Sequence, residues 1–181
     1  MLKAGELGIK LDKNSPETAR ILDRIQDLEN EGYQFEAAEA SFELIIKKMT
    51  GKHRKFFDLH GFRVTDSASE DGRSASEAAV RLSVNGKQEH TAALGDGPVN
   101  ALDLALRKAL VKFYPAIEKV HLVDFKVRVI NGADGTAAKV RVFITFQDEK
   151  ETWSTVGVST NIIEASWHAL VEAIEYKLLK T

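Results

Sequence analysis

The sequence predicts an α+β fold made of duplicated βββα units with pseudo-twofold symmetry, preceded by a helical linker subdomain. The turn at 95–103 resembles the turn at 157–164, and Asn100 matches Asn161 at a separation of 61 positions (161−100). Strand segments upstream of each turn repeat in the same order, which indicates duplication rather than chance. The repeated strand segments are Val80–Leu82 with Val140–Val142, and Gly61–Val64 with Asp124–Val127.

Composition excludes several classes of protein. The chain has 181 residues, 44% hydrophobic and 29% charged, with a net charge of −2 and no cysteine. This charge gives no general attraction to nucleic acid or to anionic membranes. No apolar run reaches the roughly 20 residues that a membrane span needs. We therefore expect no nucleic-acid or membrane partner and a cytoplasmic location. The abrupt start predicts a fragment of a longer protein.

Residues 1–52 are predicted to form the linker subdomain. Ser15 is a helix cap and Pro16 fits the first helical position, so a helix is expected over 15–31. A second helix is expected from about Gln34 to Met49, ending before Gly51. This hairpin has little core of its own, and we expect it to pack on something absent from the chain.

The predicted regulatory domain, 56–181, begins with a unit at 56–115. Alternating apolar residues between Ala78 and Val84 predict a half-buried strand, and Asn85-Gly86 predicts a tight hairpin turn. The helix that closes the unit halts before Pro115. The expected elements are a strand at 56–65, a mobile loop at 66–76, strands at 78–84 and 87–94, and a helix at 98–113.

The second unit, 119–181, repeats this order. A strand over 120–130 places Val123, Phe125, Val127 and Val129 on one inward-facing side. A turn follows at 131–135. The next strand is expected to start at Thr136, with every second residue on the core side. The last elements are a strand at 151–158 and a helix from 162 onwards.

A dinucleotide site, a metal site and an RNA-binding domain each fit the sequence less well. Gly95 and Gly97 suggest a dinucleotide fingerprint, but Asn100 stands where the third glycine is required. The histidines show no metal-ligand spacing. A helix followed by βββα is also the topology of a double-stranded-RNA-binding domain, yet Asp103 and Glu164 would repel phosphate at the helix starts. The open alternatives are a small-molecule sensor, a purely structural dimerisation module and, as the weaker hypothesis, an RNA-binding domain.

Five segments of the chain are specific enough to indicate a family: Gly32–Leu44, Gly95–Ala101, Leu122–Val129, Thr155–Ser159 and Ile162–Trp167. They resemble the α-isopropylmalate synthase and citramalate synthase family, with the citramalate branch more similar. That resemblance implies a homodimer regulated by a feedback amino acid, isoleucine in the citramalate branch or leucine in the isopropylmalate branch.

The resemblance also implies a whole enzyme that condenses acetyl-CoA with pyruvate to (R)-citramalate. Its catalytic barrel, which uses a divalent metal, is missing from this chain. We therefore expect no catalytic residue, no metal site and no cofactor in this fragment, and no activity from it alone. In this family a linker residue can approach the neighbouring subunit's active site, and Tyr33 and Glu36 are the candidates here.

An amino-acid effector needs an anion site, an acceptor for its ammonium and an apolar slot. Free N–H groups at two helix N-termini suit the carboxylate, and the amide oxygen of Asn100 suits the ammonium. Inward-facing strand residues suit the aliphatic side chain. Chemistry and the family resemblance together give the expected effector residues: Val99, Asn100, Leu122, Phe125, Val129, Thr136, Val140, Thr160 and Ile162.

Overall fold

The computed structural model describes residues 15–68, 74–130 and 132–181. In chain order the elements are α1 Pro16–Glu31, α2 Glu39–Met49, β1 Asp58–Ala68, β2 Ser74–Val84, β3 Lys87–Gly95, α3 Pro98–Leu110, β4 His121–Val129, β5 Val140–Gln147, β6 Thr152–Ser159 and α4 Ile162–Leu179. The sheets have strand orders β1-β2-β3 and β4-β5-β6. This order confirms the α+β fold with duplicated βββα units after a helical hairpin.

The described residues divide into two compact units. The hairpin unit contains 15–53, 122–146 and 152–176, and the β1–β3 unit contains 54–121, 147–151 and 177–181, each within the described ranges. Sequence-distant segments therefore build each unit, and the last helix contributes residues to both.

The first helix begins and ends as its sequence predicts. The Ser15 hydroxyl accepts a hydrogen bond from the Thr18 N–H at 3.1 Å, and Gly32 ends α1 in the left-handed conformation. The second helix begins at Glu39, five residues later than expected. The segment before it turns instead, with the Ala38 N–H donating to the Phe35 carbonyl at 3.2 Å. Both Phe35 and Ala38 are buried, so core packing decides this start.

The hairpin packs on the chain's own second sheet, so the expectation of an absent packing partner is wrong. Apolar residues of α1, α2 and the connection between them form one buried cluster with Phe143 of β5 and Val156 of β6. Their burial stabilises the hairpin, and α2, with 11 residues, is too short to be stable by itself. The hairpin members of the cluster are Ile21, Leu28, Phe35, Ala38, Phe42 and Ile46.

Strand β2 lies at the centre of the β1–β3 sheet, paired antiparallel with both neighbours. Ala78, Val80, Leu82 and Val84 are fully buried, as their alternation predicts. Asn85 and Gly86 both have positive φ, which confirms the predicted hairpin turn. The expected loop at 66–76 is wrong at its ends, because β1 continues to 68 and β2 begins at 74. The middle of that loop, 69–73, lies outside the described residues.

The duplication extends to individual hydrogen bonds. In the β1–β3 unit the Thr91 hydroxyl of β3 donates to the Ala105 carbonyl of α3 at 2.8 Å. In the hairpin unit the Thr155 hydroxyl of β6 donates to the Ala169 carbonyl of α4, also at 2.8 Å. Each bond ties the third strand of a unit to its closing helix. The paired threonines and alanines are 64 positions apart (155−91, 169−105), as are the helix starts Pro98 and Ile162 (162−98). The order of elements therefore repeats, but the match of Asn100 with Asn161 at 61 positions is not the structural equivalence.

Close approach of strand and helix also recurs, and it requires glycine in both places. A Cβ on Gly95 would lie 2.5 Å from the Ala101 nitrogen at the start of α3. A Cβ on Gly157 would lie 1.9 Å from the Ala165 carbonyl oxygen in α4. Real Cβ atoms do not approach backbone atoms that closely, so the glycines permit the packing of each helix on its sheet.

Within the described ranges, no helix is both long and apolar enough to cross a membrane. The same residues hold no group of three or more histidine, aspartate or glutamate side chains that could bind a metal ion.

Candidate functional site

The nine residues expected to bind an effector fall in both compact units. Val99 and Asn100 belong to the β1–β3 unit, at the start of α3. The other seven belong to the hairpin unit. Those seven are Leu122, Phe125, Val129, Thr136, Val140, Thr160 and Ile162.

At the start of α3, Asn100 has a structural contact that the sequence analysis missed. Its side-chain oxygen accepts a hydrogen bond from the Asp96 backbone N–H at 3.1 Å, which closes the turn between β3 and α3. That oxygen is the atom expected to accept an effector ammonium, so one of its two acceptor positions is occupied. No side chain caps α3, whose first residue is Pro98. The N–H groups that follow retain the positive end of the helix dipole.

The start of α4 differs, because its own side chains cap it. Asn161 accepts hydrogen bonds from the Ile163 and Glu164 N–H groups at 2.9 and 3.4 Å. Ser159 accepts from the Asn161 N–H at 3.0 Å and donates to the Glu164 carboxylate at 2.6 Å. The expectation of free N–H groups at both helix starts is therefore wrong at α4. Asparagine is a preferred N-cap, so its position before the apolar stripe was the available signal.

Strand β4 carries an exposed row of apolar side chains. Phe125 is 37% exposed, Val127 38% and Val129 61%, so the prediction that this row faces the interior is wrong. β4 is an outer strand of its sheet. The Ile130 N–H donates to the Lys139 carbonyl at 2.9 Å, a register that sets Val129 opposite Val140 at the start of β5. We call Val123, Phe125, Val127 and Val129 the β4 apolar face.

The closing helix covers only part of this side of the sheet. The Trp153 indole N–H of β6 donates to the Ala173 carbonyl of α4 at 3.1 Å, so α4 lies over β6. On β5, Val142 and Ile144 are fully buried. The β4 apolar face, on the outer strand, remains exposed. Apolar surface in a continuous row favours contact with a ligand or a second protein surface.

The other expected site residues lie on different elements of the hairpin unit. Leu122 is 38% exposed and alternates with the apolar face, so it lies on the opposite side of β4. Thr136 is exposed in a 3₁₀ turn, Gly132–Ala137, and β5 starts only at Val140. Thr136 is therefore not on a strand, which corrects the expectation. Thr160 is exposed, and Ile162 is 43% exposed at the first turn of α4. The structure brings Val129 and Val140 together and leaves Leu122 on the other face.

Tyr33, a candidate for contact with a neighbouring active site, borders a cavity of about 250 Å³ in the hairpin unit. Its ring stacks on Phe35 with centroids 6.0 Å apart. Burial raises the pKa of its phenol, and the charges of Glu172 and Glu31 add to that shift. Glu36 is exposed. The proposed approach to another subunit stays a prediction for both residues.

A polar contact between α2 and α4 was not predicted. The Ser41 hydroxyl donates to the Glu172 carboxyl group at 2.5 Å and accepts the Val156 backbone N–H at 3.0 Å. Burial raises the pKa of Glu172 to about 7, although Ser41 and the charge of Lys48 favour ionisation. Ser41 and Glu172 are 131 residues apart, and no local pattern signals their contact.

Comparison with known proteins identifies the family. The LeuA allosteric (dimerisation) domain matches residues 36–178. An (R)-citramalate synthase of Geobacter sulfurreducens is 54% identical over 182 residues, covering 100% of this chain and 34% of the relative. One from Aquifex aeolicus is 54% identical over 179 residues, covering 98% of this chain and 34% of the relative.

A 2-isopropylmalate synthase of Methanocaldococcus jannaschii is 29% identical over 183 residues, covering 98% of this chain and 33% of the relative. The chain therefore spans about a third of the length of the curated relatives it matches. These matches confirm the resemblance inferred from the five sequence segments. The chain belongs to the LeuA allosteric (dimerisation) domain family.

Proposed function

We propose that this chain is the regulatory region of an (R)-citramalate synthase, that it binds isoleucine as a feedback inhibitor, and that it pairs as a homodimer. The family match and the 54% identity to two citramalate synthases support the regulatory assignment. The observation that carries the binding proposal is the β4 apolar face. An aliphatic effector and a second subunit both require such a surface.

The proposal extends to the rest of the enzyme. The whole protein would condense acetyl-CoA with pyruvate in a barrel domain that binds a divalent metal, and this chain would be inactive alone. The linker subdomain would span 1–52 and the regulatory domain 56–181, with units at 56–115 and 119–181. A cytoplasmic location fits a biosynthetic enzyme of this class.

The aliphatic part of isoleucine fits the end of the β4 apolar face. Phe125 and Val129 lie on that face, and Val140 lies opposite Val129 on β5. Exposed branched and aromatic side chains in this arrangement can enclose a four-carbon side chain and release water from both surfaces. On the family resemblance, the remaining proposed effector contacts are Val99, Asn100, Leu122, Thr136, Thr160 and Ile162.

Isoleucine should bind more tightly than leucine or valine in calorimetric titrations of the purified chain. A fitted apolar slot discriminates by roughly 1–3 kcal/mol for a mismatch on the scale of one methylene group. Val140→Ala should weaken isoleucine binding by about 0.5–1.5 kcal/mol while leaving the fold intact. Leucine binding as tight as isoleucine would move the assignment to the isopropylmalate branch, and unchanged affinity in Val140→Ala would remove Val140 from the site.

Light scattering at micromolar concentration should give twice the chain mass of 20.0 kDa. An outer strand with an exposed apolar row is commonly covered by pairing with a second copy. Val127→Lys should shift the mass towards the monomer, because the charge would have to be desolvated in the interface. Leu22→Lys is the matched control, since Leu22 is 43% exposed on α1. A monomeric mass for the unaltered chain would contradict the dimer.

A further inference from the structure

The other side of β4 forms a cationic groove within the hairpin unit. This groove has a volume of about 590 Å³, and β4, β5, β6 and the hairpin connection all contribute to its walls. Among the described residues that line it, the cations are Lys126, Arg128 and Arg141, and the carboxylate is that of Asp124. Since Asp124 forms an ion pair with Lys126, the two arginines dominate the remaining charge.

The two arginines line the groove from neighbouring strands. The hydrogen bond from the Ile130 N–H to the Lys139 carbonyl sets a register in which Arg128 lies opposite Arg141. Like charges in directly opposed positions destabilise a sheet. An anion bound between the two guanidinium groups would offset this repulsion.

Arg141 is held in place by the hairpin. Its Nε donates to the Gly32 carbonyl at 2.6 Å, and its Nη1 donates to the Gln34 side-chain oxygen at 2.7 Å. The guanidinium also lies over the Phe143 ring at 6.0 Å from the centroid. These contacts fix the orientation of the group, and within the described ranges no further hydrogen bond engages its remaining N–H donors. One cationic side of an anion site is therefore preorganised.

The charge balance around Arg141 is incomplete. Burial lowers the pKa of its guanidinium, the carboxylate of Glu36 opposes that shift, and the charge of Arg128 adds to it. Glu36 is exposed, so its attraction is screened by solvent. Among the described residues, no hydrogen bond or ion pair engages the exposed Arg128. An anion between the two arginines would therefore meet one fixed and one adjustable guanidinium.

The groove also offers neutral donors. The Thr145 and Ser154 hydroxyls border it and lie 2.8 Å apart, where either can donate to the other. One of the two protons can be redirected to a ligand oxygen. Cations together with hydroxyl donors suit a compact oxyanion rather than an apolar compound.

We propose that this groove binds a small dianion, a phosphate or a dicarboxylate, between Arg128 and Arg141. The site is separate from the β4 apolar face, because alternate residues of a strand lie on opposite sides of the sheet. It does not depend on the identity of the amino-acid effector. Dianion binding would fix β4 to the hairpin connection that holds Arg141.

Calorimetric titration of the 181-residue chain with inorganic phosphate, and separately with succinate, tests the site. Ionic strength is held constant with chloride. Saturable binding of phosphate alone assigns the groove to phosphate groups, binding of succinate alone assigns it to dicarboxylates, and binding of both assigns it to small dianions in general. Saturable binding of neither overturns the proposal.

Variants locate the binding. Arg128→Gln should lower the affinity for the dianion about tenfold or more, because it removes a charge-assisted contact. Arg128→Lys should retain part of the affinity, since it keeps the charge but loses the bidentate geometry. The control Arg20→Gln removes the same charge from an exposed position of α1 and should leave affinity unchanged. Equal losses in Arg20→Gln and Arg128→Gln would overturn the proposal, as would no loss in Arg128→Gln.

Discussion

Gly157→Ala is expected to destabilise the protein by about 3 kcal/mol or more. The added Cβ would lie 1.9 Å from the Ala165 carbonyl oxygen, inside the hydrogen-bonded backbone of α4. Strand β6 and helix α4 cannot separate freely to make room, because the Thr155 hydroxyl of β6 donates a hydrogen bond to the Ala169 carbonyl of the same helix. The free energy of unfolding from urea denaturation measures the loss.

Gly132→Ala provides the matched control. Gly132 also lies in the hairpin unit, and a Cβ there would meet no atom within 4 Å. Its unfolding free energy should stay within about 0.5 kcal/mol of the unaltered chain. Similar values for Gly157→Ala and Gly132→Ala would contradict the close packing of α4 on β6.

Glu172→Gln is expected to stabilise the protein above neutral pH. The pKa of Glu172 is about 7 in the folded protein against 4.5 for an ordinary glutamate, because burial disfavours the carboxylate. Between these two values the folded state binds more protons than the unfolded state. The free energy of unfolding therefore falls as pH rises through this window, by about 3 kcal/mol at most.

Glutamine is neutral at every pH in this range, and its side-chain oxygen can still accept the hydrogen bond from the Ser41 hydroxyl. The free energy of unfolding of the variant should not fall between pH 4.5 and pH 7. At pH 8 it should exceed that of the unaltered chain by about 2–3 kcal/mol. Denaturation at pH 5, 6, 7 and 8 measures both curves. Glu29→Gln, at an exposed position of α1, is the charge-matched control. Parallel curves for Glu172→Gln and the unaltered chain would show that Glu172 ionises as an ordinary surface group.

Local chemistry explains the elements that could be predicted from sequence. Ser15 and Gly32 bound α1 because a cap and a left-handed residue act within one turn of the chain. The alternation along β2 and the Asn85-Gly86 turn also depend on neighbours in sequence. The duplicated order of strands and helices could be predicted as well, because the repeated segments can be compared directly in the sequence.

Features that depend on distant residues could not be predicted. Alternation groups Phe125 with Val129 but does not say whether any element covers them, and in this protein α4 leaves them exposed. The start of α2 depends on the burial of Phe35, and the contact between Ser41 and Glu172 joins helices at opposite ends of the chain. Such outcomes follow from tertiary packing and have no local signature.

Backbone-amide NMR during titration with isoleucine tests the central proposal most directly. The proposal predicts saturable shifts concentrated at Phe125, Val129 and Val140, on and beside the β4 apolar face, and at Ile162 at the start of α4. It also predicts that amides of α1, such as that of Arg20, stay unchanged. Absence of saturable shifts, or shifts confined to α1 and α2, would contradict isoleucine binding at this face.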